Sequence, residues 1–320
     1  MQAARKNAAR LLSNFLRSRC FLAGTIFLCS MFFFGCNTDR TEVRKPEQDQ
    51  QTLLIGLLPE QSIFKQVRRY EPLAGYLSKQ LGMSVKLTVI PCYEKTLSSF
   101  TDKKMDAAFL GSMTYLLAHT RLGVQVLARP EGLDGASTSH GVIVVRTVSA
   151  IRSIRNMKGK RIAFVDRDTM SGYHLPLAYL KKRGVDHMTY FKEFYFAGTN
   201  EDVVYDVLDR KADIGAVKNT VLTELAVEDQ GVRSELLILA RTPDMPANGL
   251  VVRRDLGAPL KEKLKAALLN MHDDPEGAGI LNRFGARRFI EATDGDYASA
   301  YSIASELGIN LHSGSDATSP

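Results

Sequence analysis

The sequence predicts an α/β fold of two lobes, each a mostly parallel sheet flanked by helices, joined by two hinge crossings. Three observations carry this reading. The 320 residues exceed one compact domain and suit two, and 45% apolar content supplies both cores. Short apolar runs alternate with helix-period segments in two successive series, the rhythm of parallel sheets covered by helices. After the second series one more apolar run and three helical segments follow, which returns the chain to the first lobe.

The first series opens at residues 53–59 (LLIGLLP), an apolar run ending in Pro and suited to a buried parallel strand. Residues 70–82 place Leu73, Tyr76, Leu77, Gln80 and Leu81 at helical spacing and stop at Gly82. A β-branched strand (85–91), a helix (93–104), a strand (106–111), a helix (112–123) and a strand (124–130) follow. The second series runs strand 160–166, helix 171–184, strand 190–198, helix 200–211, strand 212–217, helix 219–231 and strand 235–243. Residues 248–256 read as the return strand, and 259–273, 275–284 and 295–307 as helices. The crossings are expected near 140–148 and 243–250. Lobe one then comprises 52–142 with 248–310, lobe two comprises 143–247, and a Ser/Gly/Asp-rich tail over 311–320 is expected to be disordered.

The formal charge of +7 suggests a polyanionic partner until it is located. The first 35 residues contain Arg5, Lys6, Arg10, Arg17 and Arg19 and no acid, leaving 37 basic against 35 acidic residues in the body. A nearly neutral body argues against nucleic-acid binding, which needs a basic footprint. Residues 20–35 form an apolar run of 16, shorter than the roughly 20 residues a span needs and suited to a secretory signal. The alternative is an uncleaved N-terminal anchor. The run ends at Gly35-Cys36, and the polar stretch to residue 51 reads as a tether. This junction resembles a lipoprotein signal, with Phe33 where Leu is usual. The resemblance implies cleavage before Cys36 and lipidation of its thiol, which holds a soluble body at a membrane without a spanning helix. Of the four cysteines only Cys92 then remains, so neither an internal disulfide nor a cysteine metal cluster can form.

Ligands of open α/β sheets bind beyond the carboxyl ends of the strands, so the turns there hold the candidate site residues. Gly111-Ser112 opens one helix, where exposed N–H groups attract anions; plain helix capping is the competing reading of Ser112. Residues 166–173 carry Thr169, Ser171 and Gly172, two hydroxyls and an open approach beside a helix start. Tyr93 follows the strand at 85–91 and offers a wall and a phenol, or local packing. Lys218 follows the strand at 212–217 and adds positive charge, although a strand-end lysine is commonly just solvated. No GxSxG, HExxH, Walker or GxGxxG motif occurs, and the six histidines are scattered, so neither catalysis nor a cofactor is indicated.

At these residues the chain resembles the phosphate/phosphite/phosphonate-binding proteins of ABC importers, the PhnD-like family. The matching stretches are YEPLAGYL (70–77), Tyr93-Glu94, DAAFLGS (106–112), MKGKRIAFVD (157–166), Ser171-Gly172 with Pro176, and KADIGA (211–216). They are specific in combination and order, over roughly 53–290. The resemblance implies a type II periplasmic-binding fold with a hinged cleft, a small anionic solute, and an ABC permease as partner. It carries Tyr93, Ser112, Thr169, Ser171 and Asn200 over as ligand contacts, with Lys218 added as a feature of this chain. Three departures stand out. Met170 replaces the middle hydroxyl of a Ser-Thr-Ser-like run, Asn200 stands where the family often has His, and Lys218-Asn219 replace a frequent Asp. Met offers no good donor and Asn no charge.

The expectation is therefore an exported, membrane-anchored monomer that binds a small oxyanion, needs no cofactor and feeds an importer. A sensor module reporting to a membrane kinase shares every one of these features. An enzyme on the same fold would need a nucleophile or base pair that the sequence does not signal.

Overall fold

The computed structural model describes residues 52–313. The signal over 1–35, Cys36 with its lipid, the tether over 36–51 and the tail beyond 313 lie outside the described residues. The strands are β1 (Thr52–Leu57), β2 (Ser84–Val89), β3 (Ala107–Leu110), β4 (Gln125–Gly132), β5 (Thr138–Ser139), β6 (Gly141–Arg146), β7 (Arg161–Phe164), β8 (Glu193–Phe196), β9 (Ile214–Lys218), β10 (Leu236–Arg241), β11 (Met245–Pro246), β12 (Gly249–Val252) and β13 (Ala286–Glu291). The helices are α1 (Ile63–Leu81), α2 (Thr96–Thr101), α3 (Ser112–Leu122), α4 (Leu175–Lys181), α5 (His187–Tyr190), α6 (Asn200–Leu208), α7 (Asn219–Glu228), α8 (Gln230–Glu235), α9 (Ala258–Leu269), α10 (Pro275–Phe284) and α11 (Ala298–Glu306).

The strands form two sheets and a ribbon. One sheet has the order β13-β4-β12-β3-β1-β2, the other β10-β6-β9-β7-β8, and β5 pairs with β11 between them. Each sheet contains a strand that arrives from the ribbon and runs against its neighbours. β6 is antiparallel to β9 and β10, and β12 is antiparallel to β3 and β4. The other strands of each βα series run toward the cleft, whereas these two enter from it. Their sequences suit that central place: Val142 to Val145 and Leu250 to Val252 are completely buried, as strands covered on both faces require.

This topology departs from the sequence reading at several points. The crossing expected over 140–148 is a strand, because Gly141 and Val142 already pair with Lys218 and Val217. The strand at 124–130 does not neighbour β3, since β12 lies between them. β13 was not expected at all. It pairs antiparallel with β4 at the sheet edge, and its exposed Arg287-Arg288 mask the apolar alternation. Helix α1 begins at Ile63 instead of near 70. Pro72 sits inside the helix, which ends as expected on Gly82, in the left-handed conformation (φ 67°). The tail is held at its start, where Arg121 donates to the carbonyls of Leu311 and Ser313.

Alternation along the strands divides the cores. Leu53, Ile55 and Leu57 of β1 face α1, α9 and α10, where Leu73, Leu77, Leu264, Leu281 and Phe284 complete one cluster. Ile143, Val145, Ile162, Phe164, Leu180 and Ile214 form the corresponding cluster on the second sheet. A further cluster includes residues of both sheets, among them Ala108, Val142, Val144 and Val251, and joins the two lobes near the ribbon. Each fully buried leucine contributes about 1.5–3 kcal/mol.

Candidate functional site

A small polar cavity opens between the two sheets, at the carboxyl ends of β1, β3, β7 and β9. All six expected ligand contacts line it: Tyr93 and Ser112 from the first sheet's turns, and Thr169, Ser171, Asn200 and Lys218 from the second's. Glu60, Asn248, Ser139 and Asp168 line it too; Glu60 and Asp168 belong to the candidate strand-end turns 59–62 and 166–173, but none of the four was expected as a ligand contact. For Glu60 a signal existed, since it follows β1 at the end where ligands bind. Asn248 had none, because it joins the cleft only when the ribbon folds.

The centre is an ion pair across the cleft. Lys218 ends β9, and its Nζ donates to Glu60 Oε1 (2.9 Å) and Asn248 Oδ1 (2.8 Å). Asn248 Nδ2 donates to the same Glu60 oxygen at 3.2 Å. Burial raises the Glu60 carboxyl, but the Lys218 charge and these hydrogen bonds outweigh it, so its pKa lies below the ordinary value and it is ionised at neutral pH. Asn200 holds the two partners in place. Its Oδ1 accepts from the Lys218 backbone N–H (2.8 Å), and its own N–H donates to the Glu60 carbonyl (2.9 Å). Its carboxamide oxygen thus already accepts one bond from the protein, and its NH₂ group remains as a donor.

The hydroxyls surround this pair. Ser112 does not cap α3; Gly111 occupies that position, and the Ser112 hydroxyl donates to the Pro246 carbonyl at 3.1 Å. That bond ties the first lobe to the ribbon and leaves the Ser112 oxygen as an acceptor. Thr169 precedes a π-turn over Met170–His174 and donates its hydroxyl to the Asp166 carbonyl at 2.7 Å. Single π-turns of this kind are frequent at functional sites, and here one replaces the regular helix start expected at 171. Two glycines permit the turn. A Cβ at Gly172 would lie 2.5 Å from Val165, and one at Gly141 would lie 2.4 Å from the Ser171 carbonyl oxygen. The Tyr93 phenol is pushed well above its ordinary pKa by burial, then by the negative charges of Glu60 and Asp166, so it stays a proton donor. Burial, followed by the Asp166 charge, pushes the Asp168 carboxyl up to about 6. His174 is pushed down to about 4 by burial and is a packed, neutral residue beside the site.

Outside the cavity the lobes are held together by a second set of charges. Lys65 on α1 contacts Glu201 at 2.8 Å and Glu228 at 2.9 Å, Arg69 pairs with Glu224, and Gln61 Nε2 donates to Glu224 at 2.9 Å. Thr114 on α3 donates to the Asp168 carbonyl at 3.0 Å. The structure is thus closed over its cavity. These outer pairs are partly solvated, so each is worth about 0–1 kcal/mol. Replacing Lys65 and Arg69 together with alanine is expected to weaken ligand binding by a few-fold. It should also enlarge the radius of gyration measured by solution X-ray scattering without ligand. Salt near 1 M should produce the same expansion in the unsubstituted chain, because it screens exposed pairs.

Two sheets meeting at a ribbon, with a polar cavity built from strand-end turns of both, define a type II periplasmic binding protein. The comparisons place it within that class. Residues 55–297 match the family described as ABC transporter, phosphonate, periplasmic substrate-binding protein, and the chain belongs to that family. A phosphonates-binding periplasmic protein of Escherichia coli is 23% identical over 252 residues, covering 78% of this chain and 74% of that one. The binding-protein component of a phosphonate transporter from Pseudomonas aeruginosa superposes with a TM-score of 0.76 at 21% identity, over 84% of this chain and 92% of the other. PhnD1 of Prochlorococcus marinus, solved in complex with methylphosphonate, gives 0.74 at 24% identity, over 81% and 99%.

Proposed function

We propose that this chain captures a small oxyanion of the phosphonate, phosphite or phosphate type in its interlobe cleft and delivers it to the permease of an ABC importer. The observation that carries the reading is the cavity itself, where polar side chains of both lobes, with Lys218 of the second, converge on one small space. A ligand held from both sides stabilises the closed state, so binding and closure are the same equilibrium. Tyr93 and Ser112 act from the first lobe, and Thr169, Ser171, Asn200 and Lys218 from the second. The protein binds its ligand without turnover and acts as a monomer. Lipid on Cys36 keeps it beside the permease after export. The match to transport components favours import over sensing.

Titration calorimetry of the purified chain with phosphite, methylphosphonate and phosphate tests the reading. One-to-one binding of at least one of them is expected. If none binds, and small carboxylates do not either, the ligand class is rejected.

A further inference from the structure

The cavity has an unusual charge balance for an anion site. Lys218 is the sole basic side chain lining it among the described residues, and Glu60 already compensates that charge at 2.9 Å. Two of the three ammonium donors point to Glu60 and Asn248, which leaves one for a ligand. Asp168 adds a second carboxyl to the lining. An incoming anion therefore meets an internally neutral pair, neutral hydroxyls and backbone N–H groups, with a carboxylate among them. Both hydrogen bonds to Glu60 fall on Oε1. Oε2 accepts none from the described residues, and it belongs to a side chain that faces the cavity.

We propose that the Glu60–Lys218 pair makes this cleft selective for a singly charged oxyanion that keeps one O–H, and that this O–H donates to Glu60. The inference rests on the cleft being the anion site. A monoanion with one proton satisfies the free lone pairs of Glu60 while its charged oxygens take the remaining Lys218 donor, the Tyr93 and Ser171 hydroxyls and the Asn200 NH₂ group, the Ser112 and Thr169 hydroxyls being already donated to backbone carbonyls. A dianion, or a monoanion with no proton, sets an acceptor against a largely buried carboxylate with nothing between them. The lowered pKa of Glu60 fits this role, because the acceptor remains ionised throughout the neutral range.

Methylphosphonate and methanesulfonate separate the two cases, since their monoanions match in charge and closely in shape and only the phosphonate retains an O–H. Calorimetric titration of the unsubstituted chain is expected to show methanesulfonate and sulfate binding at least about tenfold more weakly, the value of one hydrogen bond to a charged group. Affinity for methylphosphonate should fall as pH rises through its second ionisation. In Glu60→Gln the discrimination should shrink to within about threefold and the pH dependence should flatten. Sulfonate or sulfate binding as tightly as the phosphonate, or affinity that rises as the phosphonate dianion accumulates, overturns the proposal and leaves the anion site standing. If phosphonate, phosphite, phosphate, sulfonate, sulfate and small carboxylates all fail to bind, the anion site itself falls and the proposal with it. The ligand comparison needs no variant, so misfolding of Glu60→Gln does not shield the idea.

Discussion

Replacing Lys218 with methionine is expected to destabilise the protein by about 3–5 kcal/mol at neutral pH and to weaken anion binding by about 10–100-fold. The size comes from what is left behind. Methionine fills a similar volume, but Glu60 then loses the ammonium that keeps it ionised in a largely buried site. Removing one member of a buried pair leaves an uncompensated charge, which costs more than the pair was worth. The sign of the pH dependence follows. In the unsubstituted protein the Glu60 pKa lies below its ordinary 4.5, so its contribution is present above that value and is lost as pH falls through the lowered one. In Lys218→Met burial dominates and the pKa rises above 4.5, so the penalty is small in acid and grows as pH rises to neutral. Denaturant melts from pH 4 to 8 should show the gap between the two proteins widening with pH. A gap independent of pH would mean that Lys218 acts through packing alone.

Gly141→Ala carries the second large effect. The new Cβ would lie 2.4 Å from the Ser171 carbonyl oxygen and 3.3 Å from Pro176, against backbone that cannot swing aside. Gly141 is fixed on its other sides as well. Its N–H donates to Thr242 at 2.8 Å, its carbonyl accepts from the Thr242 N–H at 3.0 Å, and its strand partner is Lys218. Overpacking of this kind costs about 1–3 kcal/mol, and the rigid neighbours put this case at the upper end. The π-turn bearing Thr169 and Ser171 must shift, so affinity should drop at least tenfold even where the protein folds. Gly75→Ala is the control. That glycine is exposed inside α1 with nothing near its Cβ, and alanine there should stabilise by about 0.5–1 kcal/mol with binding unchanged. Thermal melts and titrations of both variants distinguish a local clash from a general intolerance of side chains at glycine.

Much of this site was legible because strand-end turns have a chemical signature. Gly111-Ser112 and Thr169-Met170-Ser171-Gly172 follow short apolar runs, and small or hydroxyl residues in such places point to an open helix start. What the turns do was less legible. Ser112 looked like a cap, yet it binds the ribbon through the Pro246 carbonyl. Asn200 looked like a weak replacement for a charged ligand contact, yet its carbonyl oxygen orients Lys218. Lys218 was expected in the site although strand-end lysines are commonly solvated, and it is almost wholly buried. Each difference turns on a partner more than ten positions away, and local pattern carries no information about such partners.

The sequence alone determined the alternation of strands and helices, the two-lobed α/β class and the turns that line the cleft. Period and composition are local properties, and the hydrophobic effect acts on them wherever the chain folds. Only the tertiary structure decided that β6 and β12 enter each sheet in the reverse direction, that β13 closes an edge, and that Glu60 and Asn248 meet Lys218. Those outcomes depend on which distant segments share one small volume. In that volume a 2.9 Å contact with Lys218 outweighs burial and keeps the Glu60 carboxylate ionised.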